Sequence, residues 1–228
     1  MSTEMPPAGR DPVASTRLQI LATEHWSLLA TRALTYTESL GRVNMFLAIL
    51  SGAVIALALV AQADHFGPIF IAVAIFMLSV VFFTGVATIA RLMSLNRDDF
   101  RWVIAMNRIR NAYIQVHPEL EPHFMTSPYD DLPGALQTLG IDIKGSSALG
   151  SIGHGLVTLP GMLSMIVAAV GGAIGALAAI GIGLPPLGVL LIGAAAFLVV
   201  AVLLGMSGRR AVTRLSPTLE PRFPSPKT

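Results

Sequence analysis

Four stretches of this 228-residue chain are apolar almost throughout and free of charge. A helix needs about 20 apolar residues, rising about 1.5 Å each, to cross a hydrocarbon core about 30 Å thick. By that measure residues 43–61 (VNMFLAILSGAVIALALVA) and 68–90 (PIFIAVAIFMLSVVFFTGVATIA) each form one span. The uncharged run from Gly155 to Gly208 is too long for one, and Gly181-Ile-Gly183-Leu-Pro185-Pro186 divides it at a turn, giving spans of about Leu156 to Ile180 and Leu187 to Met206. Pro68 and Pro160 fall near helix starts, where a missing amide hydrogen costs little.

Outside the spans the pattern has helical period. Leu18, Ala22, Leu29, Ala33, Tyr36 and Leu40 form one stripe, with His25 on it, while Arg17, Glu24, Thr31 and Glu38 recur every seven residues on the opposite face. After the second span, Leu95, Trp102, Met106, Ile109, Tyr113 and Val116 form another stripe, interrupted by Asp99 and ended by Pro118. Two amphipathic helices flanking two spans predict a pair at the membrane surface, with Trp102, Met106, Ile109 and Tyr113 as the interface. The competing reading lays the first helix flat on the bilayer, with Trp26 and the arginines at headgroups; Glu24 and Glu38 deny it the basic bias that anionic lipid favours.

Lys and Arg are retained on the cytoplasmic side of span ends. Four arginines precede the first span, six basic residues separate the second and third, five follow the fourth, and the turns at 62–67 and 181–186 have none. This predicts two hairpins in the cell membrane with both termini and the central segment cytoplasmic. The resulting division is a disordered 1–14, a cytoplasmic helix 15–42, a first transmembrane hairpin 43–90, a cytoplasmic helix 91–117, a linker 118–154, a second hairpin 155–206 and a disordered cytoplasmic tail 207–228. The linker carries Pro118, Pro122, Pro128 and Pro133, then a Gly/Ser-rich run, and reads as a solvated loop with one short helix near 135–139, in which Asp130 and Asp131 offset the arginines before it.

A hydrophobic fraction of 54% with 12% charged residues excludes an ordinary soluble enzyme. Without cysteine there is no disulfide framework, thiol nucleophile or thiolate metal site. A net charge of +2 without a basic soluble face argues against nucleic acid as a partner. Four acidic residues among the first 42, with no early apolar core, argue against a cleaved signal peptide.

The sharpest chemical candidate is His117-Pro-Glu119-Leu-Glu121-Pro-His123, whose imidazoles and carboxylates are ligand types for zinc or manganese. Only an extended segment would turn them to one face, so the expectation is a helix terminator with polar flanks, no metal and no cofactor. His25 and His154 read as packed or interfacial side chains. The spans hold no ionisable residue, which argues against a proton-coupled carrier. In the third span Gly171, Gly175 and Ala179 form one row of small residues, and Ser164, Ala168, Gly172 and Ala176 form a second, predicting close helix packing. Six of ten phenylalanines lie between Phe46 and Phe83 and 13 of 21 glycines between Gly150 and Gly208, so the first hairpin is bulky and the second smooth.

The stretch LATEHWSLLATRALTYTESLGRVNMFLAIL resembles the N-terminal helix-into-span segment of uncharacterised bacterial integral membrane proteins. The layout of helix, two spans and cytoplasmic helix over the first half is similar to the two-span effector modules of nucleotide-sensing systems, the SLATT group; the hairpin after Gly155 departs from it. The fold expected is all-α, a polytopic membrane protein. The function expected is non-enzymatic, a scaffold or regulatory subunit whose partners are the lipid bilayer and either a second copy or a cytoplasmic protein; the alternative is an oligomeric passive pore or small transporter.

Overall fold

The structure is a computed structural model that describes residues 12–141, 158–213 and 220–226. His154, Lys144 and the whole Gly/Ser-rich run lie outside them. All regular elements among the described residues are helical: α1 (Pro12–Asp64), α2 (Pro68–Val116), a 3-10 helix (Pro118–His123), α3 (Leu132–Thr138), α4 (Leu159–Gly181) and α5 (Pro186–Thr213). The helices α1, α2, α4 and α5 are each long and apolar enough to cross a membrane.

The amphipathic segments and the first two spans are not separate elements. Helix α1 is unbroken over 53 residues and α2 over 49, each with its only proline at the first position, where the ring is compatible with a helix. Residues 12–14, expected to be disordered, already belong to α1. At the other end α5 runs on to Thr213, and 220–226 are held by hydrogen bonds, so the tail expected from residue 207 onward is structured in part.

The turn between α1 and α2 places two non-glycine residues at positive φ, His65 at 49° and Phe66 at 61°, at about 1–2 kcal/mol each. Asp64 offsets this cost. Its carbonyl accepts from the Gly67 amide at 2.8 Å, and its carboxylate caps α2 by accepting from the Phe70 amide at 2.7 Å. Between α4 and α5 the Leu184 amide donates to Ala179 O and the Gly183 amide to Ile180 O, with Gly183 at φ 77°. That is a Schellman termination, which favours glycine at this position.

The described residues fall into two compact units, one of 12–34, 99–141 and 220–226, the other of 35–98 and 158–213. In the second unit, Phe46 and Ala53 of α1, Leu78, Val81, Ile89 and Leu92 of α2, and Leu163, Val167 and Val170 of α4 share one core. Gly85 makes the three-helix contact possible, since a Cβ there would overlap Val167 Cγ2 and lie 2.9 Å from Phe46 Cε2. The expected row of small residues packs α4 on α5: a Cβ on Gly175 would lie 2.8 Å from Ala196 Cβ, and one on Gly172 would lie 3.0 Å from Gly193 O. Ala176 supplies the atom nearest a Cβ on Gly193, Gly171 faces Val200 and Phe82, and Ala179 is buried. The hydroxyls of Ser79, Thr84, Thr88 and Ser164 each donate to the carbonyl four residues earlier, so the backbone absorbs the polar groups of the spans.

Glu38 corrects the sequence reading of α1. Instead of facing away, its carboxylate accepts from Arg91 of α2 at 3.0 and 3.1 Å and from Arg42 at 2.8 Å. Hydrogen bonds from Arg91 first and Arg42 second hold its pKa below the usual carboxylate range. Tyr36 and Leu40, expected inside, are exposed, and Ser39 is buried instead.

Candidate functional site: a helix pair closed by a distant segment

The first unit pairs the start of α1 with the end of α2. Leu28, Met106 and Ile109 are buried together, and Leu21, Trp102, Ala105 and Tyr113 pack around them. The four residues expected on the α2 side of this interface therefore sit together against α1. The α1 side is rotated from expectation: Leu28 is inside, while Leu29 and Ala33, expected there, are exposed, as is Trp26, which the stripe did not include, at 72%. The inward residues Leu21, His25, Leu28 and Arg32 recur at steps of four, three and four, the spacing of a coiled-coil seam.

This rotation explains Asp99, which breaks the apolar stripe of α2. Arg32 reaches it with both ends of its guanidinium fork, Nε to Oδ1 at 2.6 Å and a terminal nitrogen to Oδ2 at 3.0 Å. His25 stacks on Tyr113 at 6.1 Å between ring centroids, and Tyr113 on Phe124 at 6.4 Å. Burial first, and the nearby Arg110 charge second, lower the His25 pKa from 6.5; burial raises that of Tyr113. Burial and Arg32 lower that of Arg110, whose guanidinium donates to Asn107 Oδ1 at 2.6 Å. Asn107, itself fully buried, also donates to Tyr129 O and accepts from Thr138 Oγ1, pinning the segment after α2 to the helix pair.

Two adjacent carboxylates then capture a segment far along the chain. Asp130, 1% exposed, accepts from Arg108 Nε at 2.6 Å and from the amides of Arg222 at 2.9 Å and Phe223 at 2.7 Å; its own amide donates to Phe223 O. Asp131 caps α3 through the Gly134 amide and also accepts from the amide and hydroxyl of Ser225 at 2.7 and 2.8 Å. Arg108 adds a bond to Glu220 O. Gly134 lets α3 approach, because a Cβ there would overlap Tyr129 O. Burial alone would raise the Asp130 pKa, but bonds from the Arg222 amide, Arg108 and the Phe223 amide outweigh it and hold the carboxyl below its usual value.

No protein-family model, curated protein or solved structure matches this chain. The residues must carry the functional argument themselves. The four candidate metal ligands are not brought together: His117 Nδ1 and Glu119 Oε1 are 2.9 Å apart, Glu121 and His123 are exposed on the 3-10 helix, and among the described residues no three His, Asp or Glu side chains form a metal-sized cluster. What the sequence reading missed is the clasp made by Asp130 and Asp131. The available signal was two carboxylates beside a helix-starting Leu-Pro-Gly; their partners in the Pro-Arg-Phe-Pro-Ser-Pro segment, more than 90 residues later, carried none.

Proposed function

We propose that the protein is a non-enzymatic scaffold or regulatory subunit of the cell membrane, in which the first unit is a cytoplasmic module that binds a protein. One observation carries this reading. The buried polar side chains of that unit are spent on one another and on the clasped segment, and no buried side-chain nitrogen or oxygen among the described residues lacks a hydrogen-bond partner, whereas large apolar side chains of α1 remain exposed. A reaction site needs polar groups directed at a substrate. A binding surface needs exposed apolar groups on a rigid support.

The sorting of basic residues supports two hairpins with both termini cytoplasmic. A lone cysteine at Gln62 is expected to react with a membrane-impermeant thiol reagent in intact cells, and one at the fully exposed Met125 to react only after lysis. Purification from native membranes tests the binding role: a protein should co-purify with the intact chain and be lost when Trp102 and Tyr113 are both changed to Ser. Ion flux from the purified chain in liposomes, with no bound protein, would overturn the scaffold reading in favour of a pore.

A further inference from the structure

Helix α1 carries two seams offset by one residue, about 100° around its axis. The inner seam faces α2 and mixes Leu21, Leu28 and Phe46 with His25, Arg32, Ser39 and Arg42. The outer one is Ala22, Trp26, Leu29, Ala33, Tyr36 and Leu40, at steps of four, three, four, three and four. The more apolar seam is thus the one that meets solvent: Trp26 is 72%, Tyr36 62% and Leu29 41% exposed. Sustained four-three spacing of apolar residues fits another helix, because an α-helix wound on its neighbour repeats every seven residues. Between Glu24 and Glu38 the only charged residue of α1 is Arg32, and it is spent on Asp99 at the inner seam.

We propose that the outer seam of α1 binds the same seam of a second copy of this chain, in parallel. The proposal rests on the scaffold reading and names the partner. Because α1 is unbroken from Pro12 into its membrane-crossing stretch, two copies inserted alike in one bilayer present their seams in the same direction and at the same height, so Trp26 meets Trp26 and Ala33 meets Ala33. The area suits a dimer: Trp26 and Tyr36 alone expose on the order of 300 Å², a third or more of the roughly 800 Å² that each partner gives to a standard interface. Ala22 and Ala33 let the two backbones approach between the larger side chains.

The chain has no cysteine, so a single one reports alone. In native membranes, Ala33→Cys should form a covalent dimer under mild oxidation, whereas Ser27→Cys, exposed on another face of α1, should not. Adding Leu29→Glu to Ala33→Cys should reduce that dimer at least tenfold while leaving the melting temperature of the detergent-purified chain unchanged, because Leu29 lies outside the core of its own unit. Equal crosslinking at both cysteines, or none at Ala33, overturns the proposal. Labelling of Ala33→Cys by a bilayer-phase reagent places the seam against lipid and overturns it too. A monomer that loses a different co-purified protein on Leu29→Glu overturns the second copy as occupant while the scaffold reading stands.

Discussion

The two units are held by opposite means. In the second, three helices long and apolar enough to cross a membrane share an apolar core, α4 and α5 approach through Gly172, Gly175 and Gly193, and hydroxyls are returned to the backbone of their own helix. In the first, the apolar centre is small, and the remainder is a set of directed polar contacts: Arg32 with Asp99, Asn107 with Arg110, Tyr129 and Thr138, and the Asp130 and Asp131 clasp. Among apolar solvent molecules burial gives helices no reason to associate, so shape decides. In water a two-helix layer gains too little from burial, and charge-assisted bonds add the remainder. The second unit should therefore respond mainly to volume and only weakly to acid, through the solvent-screened pairing of Glu38 with Arg91 and Arg42, and the first should do the reverse.

The largest expected effect is at Asp130. Asp130→Ala removes three bonds to an ionised, buried carboxylate and should cost about 4 kcal/mol. Amide exchange at Arg222 and Phe223 should rise together while α4 and α5 stay protected; an unchanged pattern would show that the clasp contributes nothing. The sign of the acid effect follows from the same group. Its folded-state pKa lies below the ordinary 3.8, so its stabilisation is complete above that value and is lost as the pH falls below it, through the folded value. Acid should release residues 220–226 while α4 and α5 stay protected, and Asp130→Asn should abolish that step.

Next comes volume. Gly175→Ile forces a branched side chain into a space where even a Cβ is 2.8 Å from Ala196 Cβ, at about 1–3 kcal/mol. Ala195→Ile, on the exposed side of α5, should be nearly silent although it adds three carbons to the four that Gly175→Ile adds. Equal melting temperatures in detergent for the two variants would remove close packing as the organising force of this unit.

The smallest effect is expected where the helix pair is most polar. Arg32 and Asp99 are each about 30% exposed, so water screens their attraction. Asp99→Leu alone should cost about 1 kcal/mol by stranding Arg32, and Asp99→Leu with Arg32→Leu should recover that loss or exceed it, because apolar replacements of equal fit often match an ion pair. Failure of the double variant to recover would mean the pair sets the rotation of α1.

That rotation marks the limit of what the sequence could reveal. Spans and turns were legible because they depend on local composition: the uncharged stretches, Gly183 before Leu-Pro-Pro, and small residues every fourth position each carry their own evidence. The stripe of Trp102, Met106, Ile109 and Tyr113 was legible for the same reason. The side of α1 facing it was not, because the helix offers two seven-residue registers, and the apolar one looked stronger. The marks of the other side are Arg32 meeting Asp99 and Glu38 meeting Arg91, partners 67 and 53 residues away. Asp130 and Asp131 looked like solvated loop acids for a similar reason.

The clasp also imposes an order on assembly. Asp130 leaves the ribosome 92 residues ahead of the Arg222 amide that it binds, and α4 and α5 are made in between. At roughly 5–20 residues per second that gap lasts on the order of 5–20 s. For that interval the helix pair is complete and Asp130 already has Arg108, but the carboxylate lacks the amides of Arg222 and Phe223, and the module closes only after α4 and α5 have been made. Completion of the first unit is therefore a molecular report that α4, α5 and the segment through Ser225 were made.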